Sequence, residues 1–174
     1  ASGTAGLLEL ARMFGGAPRT ERSIVMISFT GEESGLLGSE YYAVNPVYPL
    51  AKTVGGFNMD SMNVYGRVTG LGVTGYGQSD FDERLAAAIQ PQGRTLVPDH
   101  ENAAGTYYRS DHFPLAKRGV PMAYAGSRGD FRDAPVAARE AARSEYGAKR
   151  YHQAADEWSP DWDYRGMIED LTVF

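Results

Sequence analysis

The sequence predicts a single α/β domain, a sandwich in which a mixed, mostly parallel sheet is flanked by helices. Three observations predict it. The chain has 174 residues, enough for one sizeable core. Helix-like and strand-like stretches alternate along it. Two of the strand-like stretches run straight into carboxylates, where sheets of this class collect their ligands. Hydrophobic residues make up 43% and charged residues 22%, which argues against disorder, collagen-like repeats and a coiled coil. With 17 basic and 22 acidic residues the net charge is -5, so the broad positive footprint of a nucleic-acid binder is missing. The longest apolar candidate, Ile24 to Phe29, falls far short of the ~20 residues a membrane helix requires. The chain has no cysteine, which removes disulfides, thiolate catalysis and cysteine-type zinc sites but leaves an Asp/Glu/His metal site open.

Leu7, Leu8, Ala11 and Phe14 recur at helical spacing behind Ser2 as N-cap, and Gly15-Gly16 followed by Pro18 ends that first helix. Ser23 to Thr30 is β-prone and apolar on both faces, the pattern of a buried strand, and it ends at Gly31-Glu32-Glu33. A helix is expected over 34–43, stopped before Pro46, then a strand over Thr53 to Met59 that ends at Asp60. Leu71 to Thr74 reads as a short strand. Ser79 caps a helix with Phe81, Leu85 and Ile89 on one face, stopped by Pro91, and Thr95 to Val97 is a further strand. Ser110-Asp111 opens a short helix closed by Gly119, and Val120 to Ala125 is a buried strand. Residues 128–150 carry Arg128, Arg132, Arg139, Arg143, Lys149 and Arg150 among alanines and four acids, the composition of a helical surface insertion. A last helix runs from near Asp163 through Met167, Ile168 and Leu171.

Gly70 to Gly75 matches the GxGxxG dinucleotide fingerprint, but it lies in a strand-like run, and Gln90, Gln92 and Arg94 stand where the ribose-binding acid belongs. GxSxG, GxxxxGK[ST] and HExxH are absent. Glu32-Glu33 has the ordinary reading of first-turn glutamates on a helix dipole. Two consecutive carboxylates at a strand end can instead divide labour, one ligating a metal while its neighbour moves protons. Asp60 alone reads as a turn residue and gains weight beside that pair. Of the three histidines, His100 sits in a polar loop with nothing to raise it above a surface residue, leaving His112 and His152.

Phe29-Thr30-Gly31-Glu32-Glu33-Ser34-Gly35-Leu36-Leu37-Gly38-Ser39 resembles the signature of the M28 family of zinc aminopeptidases. The resemblance continues in order. Asn58-Met59-Asp60 is similar to the family's strand-end metal aspartate, Ser110-Asp111-His112-Phe113-Pro114 with Gly119-Val120-Pro121 to its SDH-x-P segment, and Tyr151-His152 with Asp156-Glu157 to its late histidine ligand. Ala1 to Leu10 resembles the helix that follows the family's bridging aspartate. The family's upstream His-x-Asp motif and bridging Asp are not among these residues. The resemblance therefore implies an N-terminally incomplete, single peptidase-like domain over 1–174, a zinc-exopeptidase-like sandwich missing its first strands.

The resemblance implies an N-terminal peptide-bond hydrolase with two zinc ions, acting on peptides with a free N-terminus. Glu33 and His152 would ligate one ion and Asp60 the other, with Glu32 as general base. Tyr151 matches a position where some members place an oxyanion-binding tyrosine, against its plain reading as a core aromatic. Asp111 and His112 would lie behind the ligands or line the pocket, with Asp111 as a helix cap competing. Tyr107, Tyr108, Phe113 and Trp158 would shape a pocket for the first side chain, or simply pack as core. The family is often exported, and the expectation of a secreted or periplasmic protein rests on the resemblance alone. The rival readings are a zinc glutaminyl cyclase of the same fold and a non-catalytic peptidase-like domain.

Overall fold

The computed structural model describes residues 1–99 and 105–174; the expectation for His100 lies outside them. In chain order the elements are α1 (Ser2–Gly16), α2 (Leu37–Val44), β1 (Gly56–Asn58), β2 (Val68–Thr74), α3 (Phe81–Ile89), β3 (Thr95–Pro98), α4 (Phe113–Ala116), β4 (Met122–Phe131), α5 (Val136–Lys149) and α6 (Arg165–Leu171). The sheet has the order β1-β4-β2-β3. β1 pairs with β4 in parallel, β2 with β3 in parallel, and β2 with β4 antiparallel. None of the helices described is long and apolar enough to cross a membrane.

Adjacent residues of β4 show why helices cover both faces. Met122 packs with Ala43, Leu115 and Val120, the cluster under α2 and α4. Ala123, pointing the other way as strand alternation requires, packs with Leu71, Val73, Leu85 and Ile89 under α3. A third cluster joins Leu10 of α1 to Met167 and Leu171 of α6, with Met59 and Met62 against it. The expected α/β sandwich with a mixed, mostly parallel sheet is therefore the observed architecture.

Several boundaries differ from the sequence expectation. The largest difference is Ser23 to Thr30, expected as a buried strand: residues 23–29 form no strand, and Ile24 and Val25 are 46% and 47% exposed. The segment still separates its faces, Met26 joining the α1/α6 cluster and Phe29 the α2/α4 cluster. What it lacks is a ladder partner among the described residues, and without inter-strand hydrogen bonds an apolar run is not a strand. The strand expected over 53–59 shortens to Gly56–Asn58. The one expected to stop at Ala125 begins at Met122 and runs to Phe131 along β2, so the 128–150 stretch opens as sheet before α5.

Ser2 does not cap α1. It lies inside the helix, and its Oγ accepts the Met62 N–H at 2.9 Å. The expected apolar stripe is displaced as well, with Leu8 68% exposed and Gly3, Gly6 and Leu10 buried. The small residues let the helix lie directly on the chain beyond β1: a Cβ at Gly3 would collide with the backbone of Met59 and Asp60. Asp111 is not a helix cap either, since α4 starts after His112 and the Asp111 carboxylate is held elsewhere.

Candidate active site

Glu32 and Glu33 follow the unpaired segment in a short 3-10 turn over Glu32–Ser34. The backbone there cannot continue as strand or α-helix because Gly31, Gly35 and Leu36 all take left-handed conformations. The expected helix therefore starts at Leu37 rather than at Ser34. Asp60 stands two residues beyond β1, whose Asn58 is registered beside Tyr124 of β4.

The structure brings Glu33 together with His152: the imidazole Nε2 lies 2.7 Å from Glu33 Oε1, with the Glu33 side chain 70% and the His152 side chain 53% exposed. His152 is held left-handed at φ 58, and the Tyr151 ring stacks on it at 3.8 Å and 24°. Glu32 belongs to the same cluster. Its carboxyl is pushed above the ordinary glutamate value first by partial burial, then by the charges of Asp60, Glu33 and Asp111, with His152 opposing. The Tyr151 phenol is raised by the same surroundings, burial first and then Glu33, Asp60 and Glu32, so it keeps its proton.

A second layer of polar contacts fixes the strand ends. Asn58 Nδ2 donates to Ser110 Oγ at 2.8 Å, and Ser110 Oγ lies 3.4 Å from Asp60 Oδ2. The same hydroxyl also bonds with the Tyr124 phenol, so Ser110 ties Asn58, Asp60 and Tyr124 together. Ser39 Oγ of α2 donates to Asp111 Oδ1 at 2.6 Å, while burial and the charge of Asp60 raise the Asp111 carboxyl. His112 is fully buried, and among the described residues neither ring nitrogen has a partner; it lies between Tyr107 at 4.8 Å and Tyr124 at 5.0 Å. Burial lowers it to about 4, so it is a neutral packing group at ordinary pH. Tyr124, raised to about 12 by burial and then by Asp60, remains a phenol.

Ser39, Asn58, Ser110 and Tyr124 were not singled out from the sequence. The first three sit inside the motif stretches, yet nothing in residue spacing distinguishes a serine that holds a carboxylate from one that lines a turn. Of the four aromatics expected to shape a pocket, Tyr107, Tyr108 and Phe113 cluster edge to face at 5.1–6.0 Å. Trp158 stands apart, 67% exposed, donating its Nε1–H to Tyr164 Oη at 2.8 Å.

Glu33 and His152 are two metal-type donors side by side. Among the described residues, however, no group of three His, Asp or Glu side chains is placed to hold an ion. A catalytic zinc keeps about three protein ligands, so these residues do not by themselves complete a metal centre.

A comparison with curated proteins finds no match. Among solved structures, the aminopeptidase LapA of Legionella pneumophila superposes with TM-scores of 0.66 and 0.68 in two crystal structures, at 19% and 20% identity. An aminopeptidase from Aneurinibacillus sp. strain AM-1 superposes at 0.62 and 22% identity. In each case 99% of this chain is covered, but only 43%, 44% and 37% of the other, so the chain spans less than half the length of these relatives. At such identities the superpositions show a shared fold. The sequence model described as Peptidase family M28 matches residues 1–173, nearly the entire chain, and the chain belongs to that family.

Proposed function

We propose that these residues are the catalytic portion of a longer M28 aminopeptidase that hydrolyses N-terminal peptide bonds. The observation that carries the reading is the convergence of Glu32, Glu33, Asp60 and His152 from three separate chain segments, with Glu33 and His152 in contact and, among the described residues, no side chain bonded to Glu32. In this reading Glu33 and His152 contribute to one zinc and Asp60 to a second. The remaining donors come from outside the described residues, whose donors fall short of a complete set.

Glu32 fits the general base. A carboxylate whose pKa is raised by burial and like charges is a better proton acceptor than an ordinary one. It takes a proton from the attacking water and delivers it to the leaving amine. Tyr151 keeps its phenolic hydrogen and, stacked on His152, is available to donate it to the oxygen that gains charge. Ser110 and Asn58 hold Asp60, and Ser39 holds Asp111, so the carboxylates around Glu32 are oriented before substrate arrives.

The test is zinc per chain by elemental mass spectrometry, together with hydrolysis of aminoacyl anilides. Both are measured on this chain and on an N-terminally extended protein. The expected outcome is near-zero zinc and no turnover for the chain alone, with about two zinc ions and turnover for the longer protein. Two zinc ions on the chain alone would overturn the ligand assignment. A product lighter by ammonia alone from a glutaminyl peptide would favour the cyclase.

A further inference from the structure

We propose that Tyr146 is a positioning residue for His152, its carbonyl and its phenol together clamping the two ends of the loop that presents the imidazole to Glu33. The inference rests on the reading above for its functional meaning, but its geometry is independent of it. His152 is a non-glycine residue at φ 58, a conformation that persists only where the surroundings over-determine it. Those surroundings are mostly solvent: residues 150–157 are exposed apart from the half-buried Arg150. Something other than core packing must hold the loop.

Tyr146 lies in the last turn of α5 and holds the loop at two points. Its carbonyl accepts the N–H groups of both Arg150 and Tyr151, each at 2.9 Å, which ends the helix and turns Tyr151 and His152 away from its axis. Its phenol reaches across the loop and donates to Asp156 Oδ2 at 3.2 Å. Between these anchors Gln153 N–H donates to the Arg150 carbonyl and Asp156 N–H to the Gln153 carbonyl, so the loop is a closed series of turns. The Tyr146 ring also faces Tyr151 at 5.9 Å, and Tyr151 stacks on His152. Tyr65, five residues beyond Asp60, feels the charges of Arg150, Glu145 and Asp156. A leucine at 146 would keep the helix but not the cross-loop bond.

The variants are Tyr146→Phe, which keeps ring and carbonyl but removes the cross-loop hydrogen bond, and Asp156→Asn, which weakens its acceptor. Two readings are taken on each: amide hydrogen exchange over 150–157 and the imidazole nitrogen signals of the three histidines, with buried His112 as internal reference. The expected result is exchange at Gln153 and Asp156 faster by about threefold to tenfold in Tyr146→Phe, the loss of one exposed hydrogen bond, and faster by a smaller factor in Asp156→Asn, whose amide oxygen accepts more weakly. The double variant should show no further gain. The His152 signals shift while those of His112 stay in place. Unchanged exchange in both single variants overturns the proposal. So does faster exchange with unmoved His152 signals, which would make the bond a staple that does not position the imidazole. If Tyr146→Phe also loosens β4, Asp156→Asn alone decides by the same criteria. Neither reading uses metal or turnover, so failure here and failure of the aminopeptidase reading are told apart.

Discussion

The far half of the sheet and the rim that carries the candidate site are built on opposite principles. Beneath β2, β3 and β4 everything is sealed: Leu71, Val73, Leu85 and Ile89 are buried, and even the charges are enclosed. Arg94 Nη2 lies 2.7 Å from Asp170 Oδ1 with both side chains inaccessible, while Arg94 also donates to the Gly70 carbonyl at 2.8 Å. Ser127 donates both its N–H and its Oγ–H to the other Asp170 oxygen. At the rim, Glu33 and His152 meet in water, one after an unpaired segment and the other in an exposed loop. Stability is concentrated where no chemistry is placed, and the chemical groups sit where the chain contributes little to stability. A site built this way can be removed without unfolding the molecule.

The comparison can be broken most forcefully at Asp170. Asp170→Leu strands Arg94 as a buried, unneutralised cation and is expected to cost about 3–5 kcal/mol in urea unfolding. A loss below about 1 kcal/mol would mean the sealed half is not sealed.

The next effect is a dependence on acid. His112 is lowered to about 4 in the folded chain from an ordinary 6.5, so the unfolded chain takes up its proton first as pH falls. Its contribution is fully present above 6.5 and is lost on the way down to about 4, amounting to about 3 kcal/mol. Asp170, whose carboxyl is pushed upward by burial despite Arg94 and Ser127, works in the opposite direction. The measurement is therefore the difference in pH slope between wild type and His112→Phe, and equal slopes would refute the assignment.

Gly3→Ala tests the close approach of α1 to the chain that ends at Asp60. The new methyl has no room against the Met59–Asp60 backbone, so a loss of about 1–3 kcal/mol is expected in thermal unfolding. The smallest effect belongs to the site itself. Glu33→Ala and His152→Ala remove an exposed pair and should leave stability within about 0.5 kcal/mol.

What the sequence made legible follows the same division. The α/β class, α3 with Phe81, Leu85 and Ile89 facing the core, and a strand just before Asp60 all rest on local patterns, and the structure contains them. The family was legible because four motifs fall in order, each more specific in company than alone. Ser23 to Thr30 was misread because β-propensity reports a surface suited to a sheet and says nothing about whether a neighbour exists. Ser2 was misread as a cap, and the cap alternative for Asp111 fails, because a short polar side chain satisfies a local or a distant partner equally well. In the fold the distant partners, Met62 and Ser39, prevailed. The links from Asn58 to Ser110 and from Tyr146 to Asp156 depend on where the chain turns, which no spacing rule reveals.

The most direct test of the proposed base is Glu32→Gln in an N-terminally extended protein that turns over aminoacyl anilides. The account predicts turnover lower by about two to four orders of magnitude, with zinc content and unfolding temperature unchanged. Near-normal turnover would contradict it.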